Sequence, residues 1–72
     1  MPQFDVLQIG EVAKRAGVSV RTVRYYEERG LLPPVSRTSG GVRLYGDTDV
    51  IRLRFIRRLK TLGLSLIDIE GL

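Results

Sequence analysis

Apolar residues recur along the chain at helical spacing, and glycine or proline interrupts them at short intervals. Ile9, Val12, Ala13 and Ala16 fall at i, i+3, i+4 and i+7, one face of a short helix that Gly17 ends. Ser19 is placed to cap a second helix, its hydroxyl accepting from a first-turn N–H. Val18 and Val23 flank that cap at the positions where two apolar side chains staple a helix start. The second helix runs from Val20 to about Arg29, where Gly30 stops it and Pro33 and Pro34 forbid its resumption. Residues 1–8 read as a lead-in packed through Phe4 and Leu7.

The pattern then changes. Val35-Ser36-Arg37-Thr38 and Val42-Arg43-Leu44-Tyr45 are β-compatible runs around Gly40-Gly41, which predicts a small hairpin over 35–45 with an arginine on each arm. Asp47 and Asp49 put negative charge where a third helix begins, and that helix spans about 48–62. Ile51, Phe55, Leu59 and Leu62 are its expected inward stripe, with Ile56 on the flank. Gly63 ends it, and Ser65 caps a fourth helix over Leu66 to Gly71. The stripe Leu66, Ile69 and Leu72 has little chain left to pack on, so the C-terminus reads as a cut through a longer protein.

Seventy-two residues make one small domain. There is no cysteine and no histidine, which removes disulfides, thiolate and imidazole metal sites and the commonest general base. Catalysis would then rest on isolated carboxylates, and Glu11, Glu27 and Glu28 show no paired arrangement, so an enzyme is not expected. No cofactor and no metal is expected either. The lack of cysteine fits a cytosolic protein. No stretch is long and apolar enough for a bilayer, and the N-terminus has no basic start or long apolar run, so neither membrane span nor signal peptide is expected. Twelve Lys plus Arg stand against eight Asp plus Glu, a net charge of +4. All but Lys14 and Lys60 of these bases are arginine, whose planar fork suits phosphate and guanine.

The first two helices carry the specific signal. A helix-turn-helix needs a small residue where the helices cross, a glycine at the turn and apolar residues facing the core. Ala13, Gly17 and the set Val12, Ala16, Val18, Val23 and Tyr26 fill those places in order. An ordinary helical hairpin in a small bundle would share the pattern, and the second helix separates the two readings. Val20, Val23 and Tyr26 share one side, whereas Arg21, Thr22, Arg24, Tyr25 and Arg29 share the other. Guanidiniums, a hydroxyl and a phenol are the groups that reach base edges and phosphates. Arg24 could instead pair with Glu28 at i+4, and Tyr25 could pack on the next element. Arg37 and Arg43 beside the glycine tip would make a wing, or an ordinary solvated turn. Arg52, Arg54, Arg57, Arg58 and Lys60 could be a solvated face, with Arg54 and Lys60 the first candidates to meet flanking phosphate.

These residues resemble the N-terminal DNA-binding domain of the MerR family of bacterial transcription regulators over Ile9 to Leu72. The stretches carrying the resemblance include Ile9-Gly10-Glu11-Val12-Ala13, Gly17-Val18-Ser19, Thr22-Val23-Arg24-Tyr25-Tyr26-Glu27, Gly30-Leu31-Leu32-Pro33, Arg43-Leu44-Tyr45, Leu53-Arg54-Phe55-Ile56 and Leu62-Gly63-Leu64-Ser65-Leu66. The resemblance implies a mainly α fold, a winged helix-turn-helix of four helices with a small β-hairpin wing. Its parts would be the helix-turn-helix at 9–29, the wing at 35–45, a helix at 48–62 and a second-wing helix at 65–72. It also implies DNA contacts by Arg24 and Tyr25, by the wing residues Arg37 and Arg43, and by Lys60. Together with the reading of the surface, the candidate DNA-binding set is Ser19, Arg21, Thr22, Arg24, Tyr25, Arg37, Arg43, Arg54 and Lys60.

As partners the resemblance implies double-stranded promoter DNA, RNA polymerase at that promoter and a second copy. The full-length parent would be a homodimer through a coiled coil absent from this chain, as is an effector domain. The fragment itself would be monomeric off DNA, in the bacterial cytoplasm on the nucleoid. The family bends and untwists its promoters, a form of indirect readout. Gln8, Val42 and Gly46 depart from the usual helix cap, wing aromatic and serine cap. An excisionase-like DNA-bending protein would use a similar winged helix. A protein-docking module, its basic helix covered by an acidic antirepressor, is the reading from a different class.

Overall fold

The structure, a computed structural model, describes residues 6–32 and 36–72. The readings of Phe4, of Pro33 and Pro34 and of Val35 in the first hairpin arm lie outside these residues. Four helices and one hairpin follow in the order α1 (Ile9–Ala16), α2 (Val20–Glu28), β1 (Ser36–Arg37), β2 (Arg43–Leu44), α3 (Asp47–Thr61) and α4 (Leu66–Glu70).

Helices α1 and α2 meet through the turn Gly17-Val18-Ser19. The N–H of Val18 bonds the carbonyl of Ala13 at 3.0 Å, closing the end of α1 on itself. Gly17 adopts φ +72°, a left-handed conformation that strains any residue with a Cβ. A Cβ there would also come within 2.6 Å of the Arg57 guanidinium. Ser19 Oγ accepts the Thr22 N–H at 3.0 Å, the cap expected of it. Gln8 makes no side-chain cap on α1, while at α3 the Asp49 carboxylate accepts the Gly46 N–H at 2.9 Å. Ser65 and Asp68 cap α4 reciprocally, each side chain accepting the other's N–H.

The core gathers where α1, α2 and α3 cross. Val12, Val23 and Leu53, one from each helix, are its fully buried large side chains. Leu7, Ala13, Ala16, Tyr26, Leu31, Leu32, Tyr45, Val50, Ile56 and Ile69 close around them. Leu7 is held to Tyr45 by two backbone hydrogen bonds of 2.7 and 2.8 Å, which ties the lead-in to the base of the hairpin. Among the described residues no helix is long and apolar enough to cross a membrane.

Two expectations about the second half are corrected. The inward face of α3 is Val50, Leu53 and Ile56, with Leu59 partly covered. Ile51, Phe55 and Leu62 are instead 64%, 57% and 73% exposed. At about 100° per residue the two stripes lie on nearly opposite sides of the helix. The helix is therefore apolar on two faces, and packing against α1 selects one. The fourth helix is not left without a partner. It folds back on α3, burying Ile69 and partly covering Leu66, while Ile67 on its outer side and Leu72 beyond its end stay exposed.

Leu53→Ala should cost about 2–5 kcal/mol, the usual cost of a cavity at such a site, measured by urea unfolding. The Asp68 carboxyl is held below its ordinary value, first by the Ser65 N–H and then by the Ser65 hydroxyl. A depressed carboxyl stabilises the fold above its unfolded-state pKa, and that contribution is lost as pH falls through the folded value. Melting temperature should therefore drop on acidification below about pH 4, and less steeply in Asp68→Asn.

Candidate nucleic-acid interface

Helix α2 turns Val23 and Tyr26 into the core and leaves its other side to solvent. Arg21, Tyr25 and Arg29 stand at i, i+4 and i+8, a single column on that open side. Tyr25 is 43% exposed, its ring 6.1 Å from that of Tyr26 and tilted 46° to it. Arg24 forms no ion pair with Glu28, and among the described residues neither Arg21, Arg24 nor Arg37 has a carboxylate within bridging distance. Three guanidiniums are thus available to an anion. Ser19 and Thr22 stand together at the start of this helix. Their hydroxyls bond one another at 2.9 Å while Ser19 caps the helix, so both help to build the N-terminus of α2.

The hairpin is set beside this helix. Ser36 pairs with Leu44 and Arg37 with Arg43, and Thr38 closes the tip, its N–H on the Val42 carbonyl and its Oγ1 accepting the Val42 N–H. Gly41 takes φ +83° there, the left-handed residue of a short hairpin loop. Directly opposed Arg37 and Arg43 share a face of the ribbon, where like charges repel unless an anion lies between them. A shallow groove separates the hairpin from α2, lined by Gln8, Ile9, Arg24, Gly41, Val42 and Arg43. Arg24 and Arg43 therefore border one concavity from different elements.

What holds the wing in this position was missed in the sequence. Glu27, half-buried on α2, accepts Arg43 Nε at 3.2 Å and the Tyr45 hydroxyl at 2.7 Å. Burial, and next the bond to Glu27, hold the Tyr45 phenol well above the ordinary range, so it stays a neutral donor. The signal was present, since Glu27 lies on the flank of the buried side of α2. Nothing in the spacing revealed that Arg43 and Tyr45, 16 and 18 residues later, would converge on it.

The third-helix candidates divide. Arg54 directs Nε and Nη2 to the carbonyl of Arg15 at 3.1 and 2.9 Å, satisfying an orphan acceptor at the end of α1. Arg57 lies against Gly17 at the helix-turn-helix turn. Lys60 is exposed on the last turn of α3. Among the described residues no group of His, Cys, Asp and Glu is placed to hold a metal ion.

The chain matches the family described as MerR HTH family regulatory protein over residues 7–72. It is 48% identical over 66 residues to heavy metal-dependent transcription regulator 2 of Rhizobium meliloti, covering 92% of this chain and 45% of that protein. It is 47% identical over 69 residues to a mercuric resistance operon regulatory protein of Serratia marcescens, covering 96% and 48%. The crystal structure of HiNmlR, a MerR family regulator lacking the sensor domain and bound to promoter DNA, superposes with a TM-score of 0.84 at 36% identity, covering 93% of this chain and 51% of that one. The chain spans about half the length of the curated relatives it matches.

Glu27→Ala should destabilise the domain by about 1–3 kcal/mol in chemical denaturation, because it strips a charged acceptor from two donors. Amide exchange at residues 43–45 should quicken more than at Val12 or Leu53.

Proposed function

The chain belongs to the MerR HTH family of regulatory proteins, and we propose that it is the DNA-reading front half of a bacterial transcription regulator and not an enzyme. One observation carries this reading. Arg24 on the recognition helix and Arg43 on the wing border the same groove, with Arg21 and Arg37 beside them and no carboxylate in reach of Arg21, Arg24 or Arg37 among the described residues. Such a surface lays α2 into a major groove and brings the wing to the adjoining backbone.

Arg21, Arg24 and Tyr25 meet base edges and nearby phosphates, and Arg37, Arg43 and Lys60 meet phosphate. Ser19 and Thr22 present the N-terminus of α2, and Arg54 holds α1 against α3. The parent protein binds promoter DNA as a homodimer and distorts it for RNA polymerase, working in the cytoplasm on the nucleoid. The regulator reading is favoured over an excisionase-like one because the relatives above are transcription regulators. Those relatives are named for heavy metal and for mercury. With no Cys or His in these 72 residues, thiolate or imidazole ligands for such an ion would lie outside them.

Arg24→Ala should cost about 1–3 kcal/mol on a duplex selected from a random pool and relax discrimination at one base position. A uniform loss on all sequences would make Arg24 a phosphate contact. Arg43→Ala should weaken every duplex alike and reduce the salt slope by about one unit, and an unchanged slope would remove it from the phosphate set. Sedimentation of the 72-residue domain without DNA should give a monomer. Unmoved amide signals for Arg21 through Tyr25 on titration with duplex at low salt would overturn the assignment as a whole.

A further inference from the structure

Arg29, the C-cap of α2, extends its outward column by one member, yet it points along the protein rather than into solvent. Its Nε and Nη2 grip the Glu70 carboxylate at 2.6 and 3.0 Å, a two-pronged bridge across 41 residues of sequence. Its Nη1 donates to the Tyr25 hydroxyl at 3.3 Å, and its guanidinium carbon lies 5.7 Å from the centre of the Tyr25 ring. Glu70 belongs to α4, which is seated on the core through Ile69. One guanidinium thus joins an anchored carboxylate to an exposed aromatic ring on the DNA-facing side.

A half-exposed tyrosine on a helix surface ordinarily exchanges among rotamers, and ordering it on binding costs affinity. We propose that Arg29 is a positioning residue: anchored by Glu70, it holds the Tyr25 phenol in one orientation on the recognition face before DNA arrives. With three of its donors engaged by Glu70 and Tyr25, Arg29 neutralises no phosphate of its own. The inference rests on the reading of Tyr25 as a DNA contact. It extends that reading by making the geometry of the recognition face depend on where α4 sits.

Two arms test it on the 72-residue chain. In the first, without DNA, side-chain coupling constants should report a single Tyr25 χ1 rotamer in the parent and averaging in both Arg29→Met and Glu70→Gln. Helical circular dichroism should be unchanged, since all three side chains lie at the surface. A single rotamer in both variants would overturn the positioning role. In the second arm, affinity for a selected duplex is measured against salt. Arg29→Met should weaken binding by about three- to tenfold, the equivalent of one hydrogen bond, with the salt slope unchanged. Added to Tyr25→Ala, it should weaken binding no further. A slope lower by about one unit would make Arg29 a phosphate contact and overturn the inference, as would additive losses. Tyr25→Ala binding as tightly as the parent would remove the DNA role of Tyr25, and the inference with it. The rotamer arm tells that failure apart from a failure of the clamp.

Discussion

The arrangement of the proposed DNA-binding surface depends on one half-buried carboxylate. Glu27 leaves α2 toward the hairpin and is met there by the guanidinium of Arg43 and the hydroxyl of Tyr45. A two-stranded hairpin of this size is not stable alone in water. Here its base is tied to Leu7 by backbone bonds and its flank to α2 by Glu27, and these ties convert a loose ribbon into a wing of set position. Without them, Arg24 and Arg43 would not border a common groove.

The same economy of side chains recurs elsewhere. Arg54 reaches back to the end of α1, Arg29 reaches down to α4, and Arg15 bridges Glu11 and Asp47. A chain with this many arginines uses several to connect short helices that could not otherwise bury enough apolar surface to stay fixed. The arginines with no carboxylate in reach among the described residues include Arg21, Arg24 and Arg37, all on the side where α2 and the wing meet solvent. These three stand apart from the arginines tied to carboxylates, and they belong to the surface proposed to bind DNA.

Much of the fold was legible because its signals are local. Helical spacing from Ile9 to Ala16, the Gly17 turn, the Ser19 and Ser65 caps and the Gly40-Gly41 hairpin each involve residues a few positions apart. The solvent side of α2 was legible for the same reason, since one helix period sorts Arg21, Arg24 and Tyr25 from the buried Val23 and Tyr26. Helix α3 was misjudged because its sequence supports two apolar stripes, and no local rule prefers Val50, Leu53 and Ile56 over Ile51, Phe55 and Leu62.

By itself, then, the sequence determined the helices, their caps and turns, the side of α2 turned to solvent and the lack of thiol and imidazole groups in these 72 residues. Those follow from steric and hydrogen-bonding preferences that act within a turn or two of chain. The tertiary structure alone decided which stripe of α3 is buried, that α4 returns to cover the core, and which arginines are tied to carboxylates or carbonyls. The ties of Arg43, Arg54 and Arg29 join groups 16, 39 and 41 residues apart, and distance in sequence carries no record of that meeting.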